Sequence, residues 1–236
     1  MCQPFGSMMA AMWIRLRFQM KPQSRCRRTA TVTITATSAA TSNYNAASRT
    51  VTIKVVPAAT ASLSAANQAT GISLTWKRVA GATGYRVYRG SSLIKTITNG
   101  ATVTFTDTKA NANGGKYTFK IIPTASTGNG LARSLTTYRV ARPAVSAVSN
   151  SASKRMTVKW GKNAKANGYQ LQYSTSKSFA SGNKAVTVTS ASTVSRVISG
   201  LVKGKTYYVR IRTYKTVGKA KYWSVWSPAK SVKIKK

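Results

Sequence analysis

Two arginines spaced two apart, Arg210 and Arg212, and two tryptophans spaced three apart, Trp223 and Trp226, have the types and spacing in this chain that point to chemistry. That chemistry is non-covalent. Indole and phenol rings beside guanidinium groups make either a platform for a glycan or single-stranded nucleic acid, or a stack that stabilises the protein itself. Covalent chemistry lacks its reagents, because the 236 residues contain one acid, Asp107, and no histidine. General acid–base catalysis needs a group that titrates near the working pH, and catalytic triads and two-metal sites need imidazoles or paired carboxylates. The chain is therefore read as no enzyme, with no catalytic, cofactor-binding or metal-ligating residue and no cofactor. Its two cysteines, Cys2 and Cys26, both fall in the first 28 residues, and two thiols alone define no site.

Against that one acid stand 38 Lys and Arg, a formal charge of +37. Such a chain seeks polyanions. The charge is not uniform: residues 142–236 hold 20 of the cations and no acid, whereas residues 58–141 hold 10 together with Asp107. Lys203, Lys205, Arg210, Arg212, Lys230 and Lys233 are the candidate polyanion contacts, in turns or on the outward phase of strands. A solvated sandwich face usually mixes both signs, and here one sign is nearly missing. No helix-turn-helix, zinc-finger spacing or RNA-binding aromatic signature accompanies the charge, so sequence-specific nucleic-acid binding is not expected. The expected partners are an anionic polysaccharide, a wall polymer or another polyanion, with a host or neighbouring surface protein as a further possibility. No apolar run approaches the roughly 20 residues of a spanning helix, so no transmembrane segment is expected.

The elements that must position these residues read as strands. Val32 and Ile34, then Val51, Ile53 and Val55, alternate with Thr and Lys, the pattern of a strand with one buried face. The same alternation recurs in Ile72-Leu74-Trp76, Tyr117-Phe119-Ile121, Met156-Val158-Trp160 and Tyr207-Val209-Ile211. Clusters such as Asn113-Gly114-Gly115 and Lys203-Gly204-Lys205 separate them, which predicts an all-β fold of antiparallel sandwiches.

An internal repeat divides the chain. Trp76 precedes Gly84-Tyr85-Arg86-Val87 as Trp160 precedes Gly168-Tyr169-Gln170-Leu171, with an equal Trp-to-Tyr interval, and each copy reaches a second landmark at Tyr117 or Tyr207. These residues resemble fibronectin type III modules over about residues 60–236. In the second copy, Leu201-Val202-Lys203-Gly204-Lys205-Thr206-Tyr207 resembles that family's tyrosine corner, in which the phenol bonds to upstream backbone. The first copy lacks the equivalent Leu between Lys109 and Gly115, which leaves its corner open. Asp107, after a strand in Phe105-Thr106-Asp107-Thr108, reads as a turn former. Trp223-Ser224-Val225-Trp226-Ser227 resembles the Trp-Ser-x-Trp-Ser motif of cytokine-receptor modules. That resemblance implies a cation–π ladder of Trp223 and Trp226 with Arg210 and Arg212, structural in the first instance.

The expected organisation is an atypical, disordered head at 1–28 and a partial immunoglobulin-like hairpin at 29–57, then fibronectin type III-like modules at 58–141 and 142–236. The head holds five of the six methionines, and its apolar run Met8 to Ile14 precedes Arg15 and Arg17, the reverse of a signal peptide. It reads as foreign to the domains. Residues 29–56 resemble the closing hairpin of a bacterial immunoglobulin-like surface domain, so the hairpin is expected to fray or to lean on the next module. The sequence thus reads as a fragment of a secreted or surface protein whose export signal lies upstream. Its function is a non-catalytic spacer or adhesion module whose basic last domain contacts anionic polymer. The competing readings are a non-specific nucleic-acid binder and an accessory carbohydrate-binding or spacer module of a larger extracellular enzyme.

Overall fold

A computed structural model of the chain describes residues 29–40 and 45–235. The head at 1–28, with Cys2 and Cys26, and residues 41–44 lie outside the described residues. Every regular element described is a β-strand. No helix among them is long and apolar enough to cross a membrane.

Strands β1 (Ala30–Ser38) and β2 (Ala47–Val55) form an antiparallel hairpin in unbroken register, from Ala30 opposite Val55 to Ser38 opposite Ala47. Its Thr-rich composition suits strands, and Thr35 and Thr50 share a cross-strand hydroxyl hydrogen bond of 3.1 Å. Cross-strand pairing of Val32 with Ile53 and Ile34 with Val51 gathers the apolar residues on one face. That face is not covered: Val32, Ile53 and Val51 are 46%, 47% and 53% exposed. The base of the hairpin leans on the next sheet, where the Thr127 hydroxyl donates to the Val55 carbonyl at 2.9 Å and Leu131 N–H to the Pro57 carbonyl at 3.1 Å.

Two sandwiches follow, each a three-stranded sheet facing a five-stranded one. In the first, β3 (Leu63–Asn67), β4 (Ile72–Trp76) and β7 (Thr104–Asp107) pack against β5 (Gly84–Arg89), β6 (Ser92–Ile97), β8 (Lys116–Ala125), β9 (Gly128–Asn129) and β10 (Arg133–Tyr138). The second repeats the plan. There β11 (Val145–Ala152), β12 (Arg155–Trp160) and β15 (Ser195–Ile198) face β13 (Gly168–Ser174), β14 (Lys184–Val188), β16 (Thr206–Val217), β17 (Ala220–Trp223) and β18 (Lys230–Lys233).

The repeated landmarks are the two cores. Trp76 meets Tyr85 edge-on at 5.3 Å and Trp160 meets Tyr169 edge-on at 5.4 Å. Each buried phenol is satisfied twice: Tyr85 accepts from Val79 N–H and donates to the Gly100 carbonyl, as Tyr169 accepts from Asn163 N–H and donates to the Ala191 carbonyl. Burying a side chain the size of Leu or Phe contributes about 1.5–3 kcal/mol. Ile72, Leu74, Val87, Phe119 and Ile121, and likewise Met156, Val158, Leu171, Val209 and Ile211, surround these rings.

The first tyrosine corner closes despite its missing leucine. Ala112 N–H donates to the Tyr117 phenol at 3.1 Å, with the same five-residue spacing as Val202 N–H to Tyr207 at 3.2 Å. Gly114 and Gly204, each three residues before its tyrosine, hold φ of +80° and +85°. The turn that brings the N–H to the phenol thus rests on a left-handed glycine, while Ala110 fills the core beneath the first corner.

A polar knot joins the sandwiches. Asn67, at the end of β3, donates to the carbonyls of Tyr138 at 3.1 Å and Trp223 at 3.0 Å. Its oxygen accepts from Val140 N–H at 2.9 Å and from the Arg139 guanidinium. Asn113 of the first sandwich donates to Asn163 of the second at 2.7 Å, and Tyr138 packs on Tyr222 at 5.1 Å. Arg139 is buried and held by the carbonyls of Ala69 and Val140. Burial lowers its pKa below the ordinary arginine value and outweighs Tyr117, which acts in the opposite direction.

Candidate functional site: a cation–aromatic ladder and a basic pole

Strand β16 positions the arginines. Its alternation sends Val209 and Ile211 into the core and leaves Arg210 and Arg212 half-buried on the outer face. Register with β13 places Gln172 opposite Arg210 and Gln170 opposite Arg212. The Gln172 amide oxygen accepts from Arg210 Nε at 2.8 Å, and that of Gln170 accepts from Arg212 Nε and Nη2 at 2.9 and 2.6 Å.

The tryptophans reach this face because two serines carry the chain along β16. Ser224 N–H donates to the Thr213 carbonyl at 2.9 Å while its hydroxyl accepts from Thr213 N–H at 3.0 Å. Ser227 does the same three residues on, with Ile211, at 2.8 and 3.1 Å. A hydroxyl standing in for a backbone carbonyl keeps the edge of β16 satisfied between β17 and β18. The three-residue step then sets Trp223 and Trp226 over successive arginines.

The result is a ladder. Lys221 lies 4.4 Å from the Tyr214 ring centre, Tyr214 packs on Trp223 at 5.2 Å, and Arg212 lies between Trp223 at 3.9 Å and Trp226 at 4.5 Å. Arg210 lies between Trp226 at 4.8 Å and Phe179 at 4.2 Å. Burial lowers the pKa of both arginines, and Arg210 lowers that of Arg212 further. Sequence reasoning named Arg210, Arg212, Trp223 and Trp226 for the ladder; it missed Phe179, Tyr214, Lys221 and the two glutamines. Phe179 had no legible signal, since it reaches Arg210 from the β13–β14 loop in a left-handed conformation of φ +59°.

The six candidate polyanion contacts separate into three settings. Arg210 and Arg212 belong to the ladder. Lys230 is exposed at the start of β18, but its ammonium donates to the Ser146 carbonyl at 2.8 Å and ties the two sheets together. Lys203, Lys205 and Lys233 come together at the end of the sandwich: Gly204 N–H donates to the Ile234 carbonyl at 2.7 Å, and Ile234 N–H to that of Lys205 at 2.9 Å. All three are exposed.

Asp107 forms the turn read from the sequence, its Oδ1 accepting from Lys109 N–H at 3.0 Å. It also has a role that reading missed. Oδ2 pairs with Arg89 at 2.8 Å, the one ion pair among the described residues. No group of three His, Cys, Asp or Glu able to hold a metal occurs among them.

Residues 142–230 match the family model of the fibronectin type III domain. That stretch contains the Trp160–Tyr169 core, the tyrosine corner and the ladder, and the first sandwich repeats its strand order, core pair and corner. No curated protein matches the chain. Among solved structures it is similar to the crystal structure of the chicken CNTN1 FN1-FN3 domains, with a TM-score of 0.43 and 17% identity over 78% of this chain and 71% of that one. It is also similar to a segment of two fibronectin type III domains from chicken tenascin, with a TM-score of 0.38 and 20% identity over 75% and 98%.

Proposed function

We propose that the chain is a non-catalytic spacer and adhesion module of a secreted or surface protein, in which the basic second sandwich contacts an anionic polymer. Fibronectin type III domains are commonly extracellular and typically serve as spacers or adhesion modules, which supports the general role. The observation that carries the polymer contact is how the cations are held. Arg210, Arg212 and Lys230 are anchored by amide oxygens, a carbonyl and rings, all of them neutral, so the positive field of this sandwich persists outside it.

Titration of the full chain with heparin, poly(glycerol phosphate) and duplex DNA from 50 to 500 mM salt tests the reading. Binding that weakens linearly on a log–log plot against salt, through counterion release, is expected. Absence of binding to all three at physiological salt would remove the polymer contact and leave the spacer.

A further inference from the structure

Strand β1 is an open edge: it pairs with β2 alone, and the two form a sheet of their own. An edge strand turns a row of unpaired N–H and C=O groups outward, and another strand is what satisfies them in sequence. Several sandwich edges are blunted. Lys95 and the bulge beside it interrupt β6, Arg196 stands in β15, and two register shifts break β11. β1 has none of these devices: from Ala30 to Ser38 it contains no charge, no proline and no glycine, and its register with β2 is unbroken. Thr31, Val32, Thr33, Ile34, Thr35 and Thr37 are all β-branched, the composition of a strand that pairs readily.

We infer that β1 is an interaction surface for a second copy of this chain, which pairs with it antiparallel about a two-fold axis at Ile34 and makes one four-stranded sheet in the order β2-β1-β1-β2. The strand's own sequence selects that occupant. Outward from Ile34 in either direction come a Thr, an apolar residue and a second Thr. The two-fold therefore sets Ile34 opposite Ile34 of the second copy, Thr33 opposite Thr35, Val32 opposite Ala36 and Thr31 opposite Thr37. Hydroxyls then meet hydroxyls on one face and apolar groups meet apolar groups on the other. β2 lacks this property, since the same operation about Val51 sets Arg49 against Ile53 and Lys54 against Ser48. Charge selects the same edge. Residues 29–57 hold 2 of the 38 cations, Arg49 and Lys54, both on β2, so β1 is where two strongly basic chains approach with little repulsion. Antiparallel pairing also keeps the basic bodies apart, because the two hairpin bases lie at opposite ends of a nine-residue strand, about 30 Å against a screening length of about 8 Å. The hairpin joins the first sandwich at the end away from the joint. β8 begins at Lys116, beside the Gly115 carbonyl that accepts from Arg139 N–H, and ends at Ala125, near the Thr127 that bonds Val55. The assembly is thus end to end, with each second sandwich on the far side of its own first one. This pairing is independent of the polymer contact.

Sedimentation equilibrium of the full chain over a concentration series, under reducing conditions so that Cys2 and Cys26 link no chains, reads the association, and hydrogen exchange reads the β1 amides. The wild type is expected to rise from the monomer mass towards twice that mass, with the β1 amides gaining protection in step. Three double variants on exposed threonines fix the register. Thr33→Lys with Thr35→Glu sets a cation opposite an anion twice across the two-fold, whereas Thr33→Lys with Thr35→Lys sets cations opposite each other twice. The first should dimerise at least about 10-fold more tightly than the second. Thr31→Lys with Thr35→Glu has the same net charge as the first but sets neither charge opposite the other, and should fall between them. Near-ultraviolet circular dichroism of all three should match the wild type, since both Trp–Tyr cores lie outside the hairpin. Equal dissociation constants in the three variants would place the association elsewhere and overturn the β1 pairing. A wild type that stays monomeric with its β1 amides protected would point to a segment of the same chain on this edge, and one that stays monomeric with them unprotected would show the edge empty. Either result overturns a second copy as the occupant.

Discussion

Trp226 is the rung on which the ladder's energetic meaning can be measured, because it lies between two guanidinium groups, 4.5 Å from Arg212 and 4.8 Å from Arg210. A cation–π contact at a partly exposed site contributes about 0.5–1 kcal/mol. Trp226→Ala therefore removes roughly 1–2 kcal/mol of cation–π attraction together with the packing of a half-buried indole. Trp226→Leu separates the two, since it keeps apolar bulk and discards the ring. The decisive quantity is the coupling in a double-mutant cycle of Trp226→Leu with Arg212→Ala, expected at about 0.5–1 kcal/mol. Native-state hydrogen exchange at the Val209 and Ile211 amides reads it within the second sandwich, without interference from the first. Calorimetry provides a check, as about 1 kcal/mol shifts the melting temperature of a domain this size by about 4–8 °C. A coupling below about 0.3 kcal/mol, within the scatter of additive mutations, would show that the rings and cations merely lie close, and the stabilising role of the ladder would fall.

Three further outcomes are expected. Asp107→Ala should lower the melting temperature of the first sandwich more than Asp107→Asn, because Asn retains an oxygen for Lys109 N–H and loses only the charge facing Arg89; the Ala change should destabilise by about 1–3 kcal/mol, and equal effects would refute the turn role. Burial and the neighbouring Tyr207 raise the pKa of Tyr173 above the usual 10.0. Above that pH the unfolded chain sheds this proton while the native one keeps it, so stability falls as pH rises through the native pKa; Tyr173→Phe should flatten melting temperature against pH from 9 to 11.5, and an unchanged slope would contradict the assignment. Asn67→Ala removes the side chain that bonds Tyr138 and Trp223 at once, so NMR rotational correlation times of the two sandwiches are expected to match in the wild type and to diverge in the variant; unchanged values in the variant would refute the joint's dependence on Asn67.

Local pattern carried most of the fold. Period-two alternation marked the strands, and the equal Trp-to-Tyr interval marked the two cores, because a sandwich interior is written along each strand. The first tyrosine corner does not depend on the leucine: its determinant, Gly114, stands at the same distance from Tyr117 as Gly204 from Tyr207. Non-local partners were hidden. Arg89 is 18 residues from Asp107 and lies on a strand of the other sheet, and nothing near Arg139 announces that Asn67 and Ala69 would hold it. The ladder was half legible for the same reason. Two of its rings lie in a recognisable motif, while Gln170, Gln172 and Phe179 join it only once the β13–β16 register and the β13–β14 loop are known.

The scarcity of acid explains why so many cations here rest on neutral partners. An arginine paired with a carboxylate is anchored and neutralised together, whereas one held by a glutamine oxygen and an indole ring is anchored with its charge intact. Arg210 and Arg212 are of the second kind, Lys120 over Tyr88 at 4.5 Å repeats the device on the first sandwich, and Lys230 uses a backbone carbonyl. Such contacts order side chains at little loss of field, while exposed charges are screened beyond about 8 Å at physiological salt. An anionic chain therefore senses only the cations within about that reach.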